Sequence, residues 1–297
     1  MDSLVHIQGS DDTNLTPLFL VHAISGLSIP YLHLNSLTSI DRHGQAVERP
    51  VYGINSPVYT AEDVSLPPSF EALAALYVEE IKKVQPNGPY LLGGWSFGGM
   101  VAIKLAQVLL AQGETVSRVI MLDSPNPETF PAFKSKAEHE ALTEATYSQT
   151  VAKKLAFSAV GDLLESPSES DISDEDEHGD GDDLAAARQI AQLTRKHIAE
   201  FFLLLSKQEP GSFLPEKLDA DVFLIKCKTV LRIDSTTPLN RSAYMLGLMR
   251  DKLMNWDPEK FRSFECIEFS GDHYGSFDAQ YVDELSDIFR LVLQGVE

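Results

Sequence analysis

A serine flanked by glycines lies near the end of the first third of the chain, in the pentapeptide Gly94-Trp95-Ser96-Phe97-Gly98. An apolar run over residues 90–92 precedes it, and apolar residues at helical spacing follow from Val101 to Leu109. A strand that turns into a helix this abruptly strains the serine backbone, so small residues must lie two positions away on each side. The pattern predicts a nucleophile elbow, with the Ser96 hydroxyl lifted clear of a sheet at the positive end of a helix.

A serine hydroxyl is a weak nucleophile near neutral pH, so it needs a neighbouring base and an acidic partner for that base. Of the eight histidines, His273 lies in a Gly-Asp-His-Tyr-Gly turn directly after the last predicted strand. The base occupies that place in folds whose chain order is serine, acid, histidine. His273 is therefore the predicted general base. Asp272 beside it is expected to shape the turn through its side chain rather than to act as the acid.

Two aspartates compete for the role of the acid. Asp123 directly follows the strand predicted over residues 116–122, and Ser124 and Pro125 end that strand sharply. Asp234 follows the strand predicted over residues 222–225, which is the commoner place for the acid, but eight intervening residues leave its position loosely set. The pattern favours Asp123 and leaves Asp234 open.

Acyl transfer also needs N–H donors for the oxyanion of the transition state. One is expected from the backbone of Phe97, the residue after the nucleophile, and the other from the loop that follows the first buried strand, residues 22–26. Ile24 is the predicted second donor, with Ala23 as the neighbouring alternative. His22 is expected to pack this loop rather than to take part in the chemistry.

Buried apolar runs alternate with amphipathic segments along most of the chain. The predicted strands span residues 17–21, 50–54, 90–93, 116–122, 222–225 and 264–269. The predicted helices span residues 31–37, 69–84 with Ser69 as cap, 97 to about 113, a region near Trp256, and 279–293. Such alternation indicates a mostly parallel sheet with helices on both faces.

Residues 133–215 interrupt the alternation. Helical stretches over residues 137–161 and 184–205 flank an acidic segment, residues 165–183, which holds ten carboxylates and no Lys or Arg. This composition predicts a disordered loop. The whole insertion should lie over the carboxyl ends of the strands, where doubly wound folds bind ligands, so we expect a helical lid.

Composition excludes several classes of protein. At 297 residues with 43% apolar residues the chain suits a globular protein, and we expect one domain over residues 1–297. A net charge of -20 argues against nucleic acid or anionic membranes as partners. The N-terminus shows neither the basic region nor the apolar core typical of a signal peptide, and the sequence has no stretch of about eighteen uncharged apolar residues, so we expect a cytoplasmic location. Cys227 and Cys266 show no metal-ligand spacing and are expected to be reduced core thiols, with no metal site.

Four segments together resemble the type I thioesterase domains of polyketide synthases, nonribosomal peptide synthetases and animal fatty acid synthase. They are residues 18–26 (LFLVHAISG), 93–99 (GGWSFGG), 121–124 (MLDS) and 271–273 (GDH). The resemblance covers nearly the whole chain and implies an α/β-hydrolase fold with a Ser96, Asp123, His273 triad. Family members place the aspartate after the strand that follows the elbow helix, and Asp123, 27 residues beyond Ser96, fits that habit. Many relatives have proline where Ala23 stands, so the oxyanion loop departs from the usual form.

The resemblance also implies a substrate and a partner. An acyl chain, polyketide or peptide-like, would be held as a thioester on the phosphopantetheine arm of a carrier protein, in cis or in trans, with no further cofactor. Acylation of Ser96 would be followed by hydrolysis or by cyclisation or condensation. Residues 4–8 resemble the linker that enters such domains after a carrier domain, and the acidic, serine-rich insertion points to a fungal source.

Two other functions are consistent with parts of the pattern. A free-standing carboxylesterase or lipase would act on soluble oxygen esters, and a catalytically silent binding module would use the fold alone. The resemblance of residues 4–8 to a linker favours the thioesterase, and the joint presence of Ser96, Asp123 and His273 counts against the binding module. The lid side chains Phe157, Phe201, Phe202 and Leu205 indicate an apolar or aromatic acyl chain, unless they only pack the lid helices together.

Overall fold

The computed structural model describes residues 2–40, 43–60, 63–156, 180–230 and 237–296, and within the lid helices it gives no side-chain positions for residues 152–156 and 180–184. Within these ranges, seven strands form one sheet in the order β1-β5-β2-β6-β7-β8-β9, and β3 pairs with β4 as a separate hairpin. The strands are β1 (Leu4–Gln8), β2 (Leu18–Val21), β3 (Thr38–Ile40), β4 (Ala46–Glu48), β5 (Val51–Ile54), β6 (Tyr90–Trp95), β7 (Val116–Leu122), β8 (Leu218–Thr229) and β9 (Phe261–Asp272). Strand β1 is antiparallel to its neighbour, whereas the remaining pairs of the large sheet are parallel. The predicted mostly parallel sheet is confirmed.

Helices cover both faces of the sheet. They are α1 (Phe70–Val84), α2 (Phe97–Ala111), α3 (Lys136–Ala156), α4 (Asp180–Leu205), α5 (Leu239–Arg250) and α6 (Val282–Val292). Successive residues of β2 point to opposite faces, so Phe19 packs in the core that α1 and α2 cover, whereas Leu20 packs in the core that α6 covers. Because β2 is buried on both faces, it is a continuous apolar run without alternation.

The caps of two predicted helices are as expected. Helix α1 begins after Ser69, whose side-chain oxygen accepts a hydrogen bond from the Ala72 N–H at 3.2 Å. Helix α2 ends at Ala111, and Gly113 follows with a φ of +81°, a conformation that glycine adopts without strain.

The turn from β6 into α2 leaves no room for side chains on its glycines. A Cβ on Gly94 would lie 2.3 Å from the Gly98 carbonyl carbon, and one on Gly98 would lie 2.2 Å from the Val21 carbonyl oxygen. Both contacts are with backbone atoms, which cannot move aside as a flexible side chain can. Ser96, between them, has a φ of 55°. The predicted elbow is confirmed as a backbone feature.

The N-terminal segment, which resembles the linker that enters thioesterase domains, contains a strand that was not predicted. Residues 4–8 form β1, which pairs antiparallel with β5 and so completes one edge of the sheet. Edge strands are buried on fewer sides than central ones, and β1 is only half-buried, so it lacks the apolar run by which the central strands were predicted.

Three other expectations require correction. Residues 31–37 do not form a helix, because a 3₁₀ turn spans only Ile29–His33 before β3 begins at Thr38. The helix expected near Trp256 is α5, which ends at Arg250, and Trp256 lies in the irregular segment that follows, just after a turn over residues 252–255. The hairpin of β3 and β4 was not predicted, because its strands are three residues long and largely exposed.

The helices α3 and α4 are inserted between β7 and β8 and form the lid. Helix α4 is hydrogen-bonded to the segment before α1. From α4, His197 Nδ1 lies 3.0 Å from Ser56 Oγ, and Thr194 Oγ1 lies 2.8 Å from Tyr59 Oη. Residues 180–183, expected in the disordered loop, begin α4, where a helix N-terminus favours carboxylates. Residues 157–179, including Phe157 and the rest of the acidic segment, lie outside the described residues.

None of the helices in the described parts of the chain is long and apolar enough to cross a membrane.

The packing of the elbow predicts a large effect from the smallest possible side chain. We expect Gly94→Ala to lower the free energy of unfolding by about 2 kcal/mol, because the new methyl group meets backbone that cannot yield. Gly247→Ala makes the same chemical change in α5, where a Cβ meets nothing within 4 Å, and should be neutral or stabilising by roughly 0.5 kcal/mol. Thermal and urea unfolding of both variants checks the difference, and equal stability of the two would contradict it.

Candidate active site

The side chains at the carboxyl edge of the sheet are aligned by the register of the strands. Trp95 of β6 pairs with Leu122 of β7, and Leu122 pairs in turn with Ile225 of β8. The residues that follow these three are Ser96, Asp123 and Lys226. Parallel strands end at the same edge, so these three residues lie side by side on adjacent strands.

Ser96 is held in its strained conformation by hydrogen bonds of its own backbone. Its N–H donates to the Leu122 carbonyl at 2.8 Å, and its carbonyl accepts from the Gly99 N–H at 3.2 Å. A positive φ at a residue with a Cβ is costly and persists only where the surroundings enforce it. Ser96 lines two cavities at the carboxyl edge of the sheet.

Asp123 follows β7 and is 2% exposed. Its Oδ2 accepts a hydrogen bond from Nδ1 of His273 at 2.8 Å, and its Oδ1 accepts from Lys226 Nζ at 3.2 Å and from the Cys227 N–H at 3.1 Å. Burial raises the pKa of this carboxyl, but the hydrogen bond from His273 and the charges of His273 and Lys226 outweigh burial, so the pKa lies below its usual range. The group is therefore a carboxylate at neutral pH.

His273 lies in the turn that follows β9. The Asp272 carboxylate accepts hydrogen bonds from the N–H groups of Tyr274 at 3.0 Å and Gly275 at 2.7 Å, so Asp272 shapes the turn as expected. The imidazole lies against the rings of Trp95 and Tyr274, with centroids 5.8 and 5.1 Å away. Because Nδ1 is hydrogen-bonded to Asp123, the other ring nitrogen, Nε2, points away from Asp123.

The structure thus brings together the three residues predicted as a triad. Asp123 and His273 are hydrogen-bonded, and Ser96 lines the same cavities as His273. The competing acid, Asp234, lies outside the described residues. The catalytic roles themselves remain predictions.

The predicted oxyanion donors lie beside Ser96. Phe97 is the first residue of α2, where N–H groups have no partner within the helix. Ile24 lines both cavities next to Ser96, in a loop closed by a hydrogen bond of 2.9 Å from the Gly26 N–H to the Ala23 carbonyl. The roles of Phe97 and Ile24 as oxyanion donors remain predictions.

His22 packs beneath this loop, as expected. It is fully buried, and its Nδ1 and Nε2 lie 2.7 Å from the Ala23 carbonyl oxygen and the Tyr77 hydroxyl, respectively. Burial lowers the pKa of His22 to about 4, although the hydrogen bond with Ala23 opposes that change. The ring is therefore neutral at pH 7.

Two cavities meet at the site, and both are lined by Ile24, Ser96, His273 and Tyr274. The larger one is mostly apolar, and three helical parts of the chain contribute much of its wall, together with the segment after β7 and Met254. The lid contributes Leu142, Phe201, Phe202 and Leu205; α5 contributes Tyr244, Met245, Leu248 and Met249; and the elbow helix contributes Phe97 and Met100. The smaller cavity is lined by Ala23, Ser25, Pro30, Trp95, Thr150 and Phe277 in addition to the shared residues.

Sequence reasoning missed two contributions to this site. The residues of α5 that line the cavity occur at positions 244, 245, 248 and 249, a helical spacing that was available as a signal. Lys226 was also available as a signal, since it is a lysine within an otherwise apolar strand run, residues 222–227.

Comparison with known proteins identifies relatives along the whole chain. A family model described as a thioesterase domain matches residues 16–154. The thioesterase pytI of Aspergillus terreus is 36% identical over 315 aligned positions, which cover 100% of both chains. A non-reducing polyketide synthase of Pseudevernia furfuracea is 40% identical over 130 residues, which are 43% of this chain and 6% of that protein.

Solved structures agree with the fold. The thioesterase domain of NocB, in covalent complex with a fluorophosphonate nocardicin G analog, superposes with a TM-score of 0.58 over 94% of this chain and 95% of that domain. The two sequences are 21% identical, so this likeness concerns the fold alone.

The burial of His22 predicts a pH-dependent stability. The unfolded chain binds a proton at an ordinary histidine pKa of about 6.5, whereas the folded chain does so only near pH 4. The unfolded state therefore binds more protons in this window, and this group should lower the free energy of unfolding by about 2 kcal/mol between pH 7 and pH 5.

Denaturant titrations at both pH values check this expectation with His22→Gln, in which the titrating group is removed. The loss on acidification should be smaller in His22→Gln than in the wild-type protein. His33→Gln, at an exposed histidine, serves as the matched control and should keep the wild-type dependence. An unchanged loss in His22→Gln would contradict the assignment.

Proposed function

Since this chain belongs to the thioesterase family, we propose that it takes an acyl chain from the phosphopantetheine thioester of a carrier protein onto Ser96 and then releases that chain. The observation that carries the proposal is the 2.8 Å hydrogen bond between the buried Asp123 carboxylate and His273, at a cavity that Ser96 also lines. A base that is oriented by a carboxylate beside a serine on an elbow is the arrangement that activates a hydroxyl.

In the acylation step, His273 accepts the proton of the Ser96 hydroxyl through Nε2 while the serine oxygen attacks the thioester carbonyl. Asp123 holds the imidazole in the required tautomer and stabilises the imidazolium that forms. The tetrahedral intermediate then collapses, the carbon–sulfur bond breaks, and the departing thiolate takes the proton from the imidazolium to leave as a thiol. The N–H groups of Phe97 and Ile24 donate to the oxyanion in this step.

Release repeats the same chemistry in reverse. A water molecule, or a nucleophile carried by the acyl chain itself, gives its proton to His273 and attacks the ester of Ser96. The tetrahedral intermediate then expels the Ser96 oxygen, which takes the proton back from His273. Water yields a free acid, whereas an internal nucleophile yields a cyclised or condensed product. All of these outcomes begin from one acyl-serine, so the proposal is independent of the mode of release.

The cavity supports an apolar or aromatic acyl chain as substrate. Phe201, Phe202 and Leu205 of the lid face this space as well as packing the lid helices. Four of the six methionines of the chain also line it, namely Met100, Met245, Met249 and Met254. Methionine side chains are flexible and polarisable, so they adapt to ligands of different shapes and make favourable contacts with aromatic rings.

The carrier protein as partner is supported by the polyketide synthase among the relatives and by the two cavities that meet at Ser96. A thioester at Ser96 would place its acyl chain in the larger cavity and its pantetheine arm in the smaller one. On this proposal the chain forms a single catalytic domain, residues 1–297, with residues 133–215 as its lid.

The test is turnover of N-acetylcysteamine thioesters of acetate, hexanoate and benzoate, measured beside the matching oxygen esters. We expect the thioesters to react, with hexanoyl and benzoyl groups faster than acetyl because the cavity is apolar. Ser96→Ala should lower kcat by about a thousandfold or more. Ser263→Ala, at an exposed serine of β9, is the control and should react like the wild-type protein.

The other outcomes separate the alternatives. Reaction of the oxygen esters alone would identify a carboxylesterase and remove the carrier protein as partner. Full activity in Ser96→Ala would overturn the assignment of the nucleophile.

A further inference from the structure

Lys226 is a buried lysine that the proposed acylation chemistry does not use. It lies in β8, is 6% exposed, and is followed by Cys227, whose carbonyl oxygen accepts a hydrogen bond from Lys226 Nζ at 3.0 Å. The same ammonium group donates to Asp123 Oδ1 at 3.2 Å. An ammonium group buried among apolar residues is costly unless it is paired, and Asp123 is its charged partner.

The Asp123 carboxylate therefore lies between His273 on one side and Lys226 with the Cys227 N–H on the other. Oδ2 accepts from His273, whereas Oδ1 accepts from Lys226 and from the Cys227 N–H. Donors on both oxygens fix the plane of the carboxylate, and the plane fixes the direction from which His273 is held. The positive charge of Lys226 also opposes the arrival of a second positive charge on the neighbouring imidazole.

Other titratable or charged groups near Asp123, Lys226 and His273 are Cys227, Lys252, Cys266, Glu268, Asp272 and Tyr274. Tyr244 and Arg241 line the same cavity as Asp123 and His273, and Arg241 is paired with Glu138 at 2.8 Å. Burial raises the pKa of the thiols of Cys227 and Cys266, so both are neutral. Lys252 and Glu268 are exposed and screened by solvent. The Asp272 carboxylate accepts the N–H groups of its own turn. Among the described residues, Lys226 is the lysine in direct contact with Asp123.

We propose that Lys226 is a positioning residue that fixes the plane of the Asp123 carboxylate and, through its positive charge, lowers the pH at which His273 takes up a proton. At neutral pH the base would then be kept unprotonated and ready to accept the proton of Ser96. This inference rests on the proposed function for its catalytic meaning, but the titration of His273 can be measured without any substrate.

The experiment is a pH titration by NMR of protein labelled with ¹³C at the histidine Cε1 position, in which the signal of His273 is identified by its loss in His273→Gln. Lys226→Met removes the charge and the donor, whereas Lys226→Gln keeps a donor without the charge. We expect the midpoint of the His273 titration to rise by about one pH unit in both variants. Lys226→Arg keeps the charge and should stay near the wild-type midpoint.

The matched control is Lys228→Met, two residues further along β8. Lys228 pairs with Glu268 at 3.0 Å, and both side chains are more than half exposed, so its loss should leave the midpoint unchanged. An unchanged or lower midpoint in both Lys226→Met and Lys226→Gln would overturn the proposal. That result would indicate a purely structural role, in which loss of Lys226 only loosens the contact between Asp123 and His273 and so does not favour the protonated imidazole. Loss of folding in both variants, followed by circular dichroism, would also overturn it.

Kinetics give a second readout. In Lys226→Met the acidic limb of the pH profile of kcat/KM for a reactive thioester should move to higher pH, by the same amount as the His273 midpoint in the NMR titration. A move of one pH unit means about tenfold lower kcat/KM at pH values well below the midpoint. If the wild-type protein turns over no thioester or ester, the proposed function fails, whereas the NMR titration still decides the role of Lys226.

Discussion

The burial of one charge at the edge of the sheet constrains the rest of the site. The Asp123 carboxylate is removed from water, and such a charge is stable only when its oxygens are fully hydrogen-bonded and an opposite charge is near. Its partners come from β8 and from the turn after β9, so three successive strands must end in register for the site to exist. The parallel sheet supplies that register through its backbone hydrogen bonds.

The elbow supplies the second constraint, which is steric rather than electrostatic. Ser96 is presented in a strained conformation because Gly94 and Gly98 allow backbone atoms of β6, α2 and the loop after β2 to approach closely. The close contact between Gly98 and the backbone of Val21 and His22 also brings the loop that carries Ile24 next to the N-terminus of α2. The reacting serine and the proposed oxyanion donors are therefore set by one packing arrangement, and the lid and α5 enclose the cavity over it.

Much of this arrangement could be predicted from the sequence because its signals are local. The strand, glycines and helix around Ser96 are contiguous, and His273 follows its strand directly. Asp123 was favoured over Asp234 by its place directly after a strand and then by family resemblance, and the choice remains a prediction because Asp234 lies outside the described residues. Lys226 depends on the register between β7 and β8, whose paired residues are about a hundred positions apart, and a single sequence contains no direct signal for that register. The strand β1 was missed because edge strands are only half-buried.

Acylation of Ser96 is tested most sharply by the mass of the enzyme quenched within milliseconds of mixing with hexanoyl-pantetheine, followed by peptide mapping. We expect a hexanoyl group on the peptide that contains Ser96, formed much more slowly when His273 is replaced by glutamine. Turnover without any adduct on that peptide, or an adduct on Cys227 or Cys266 instead, would show that Ser96 is not the nucleophile.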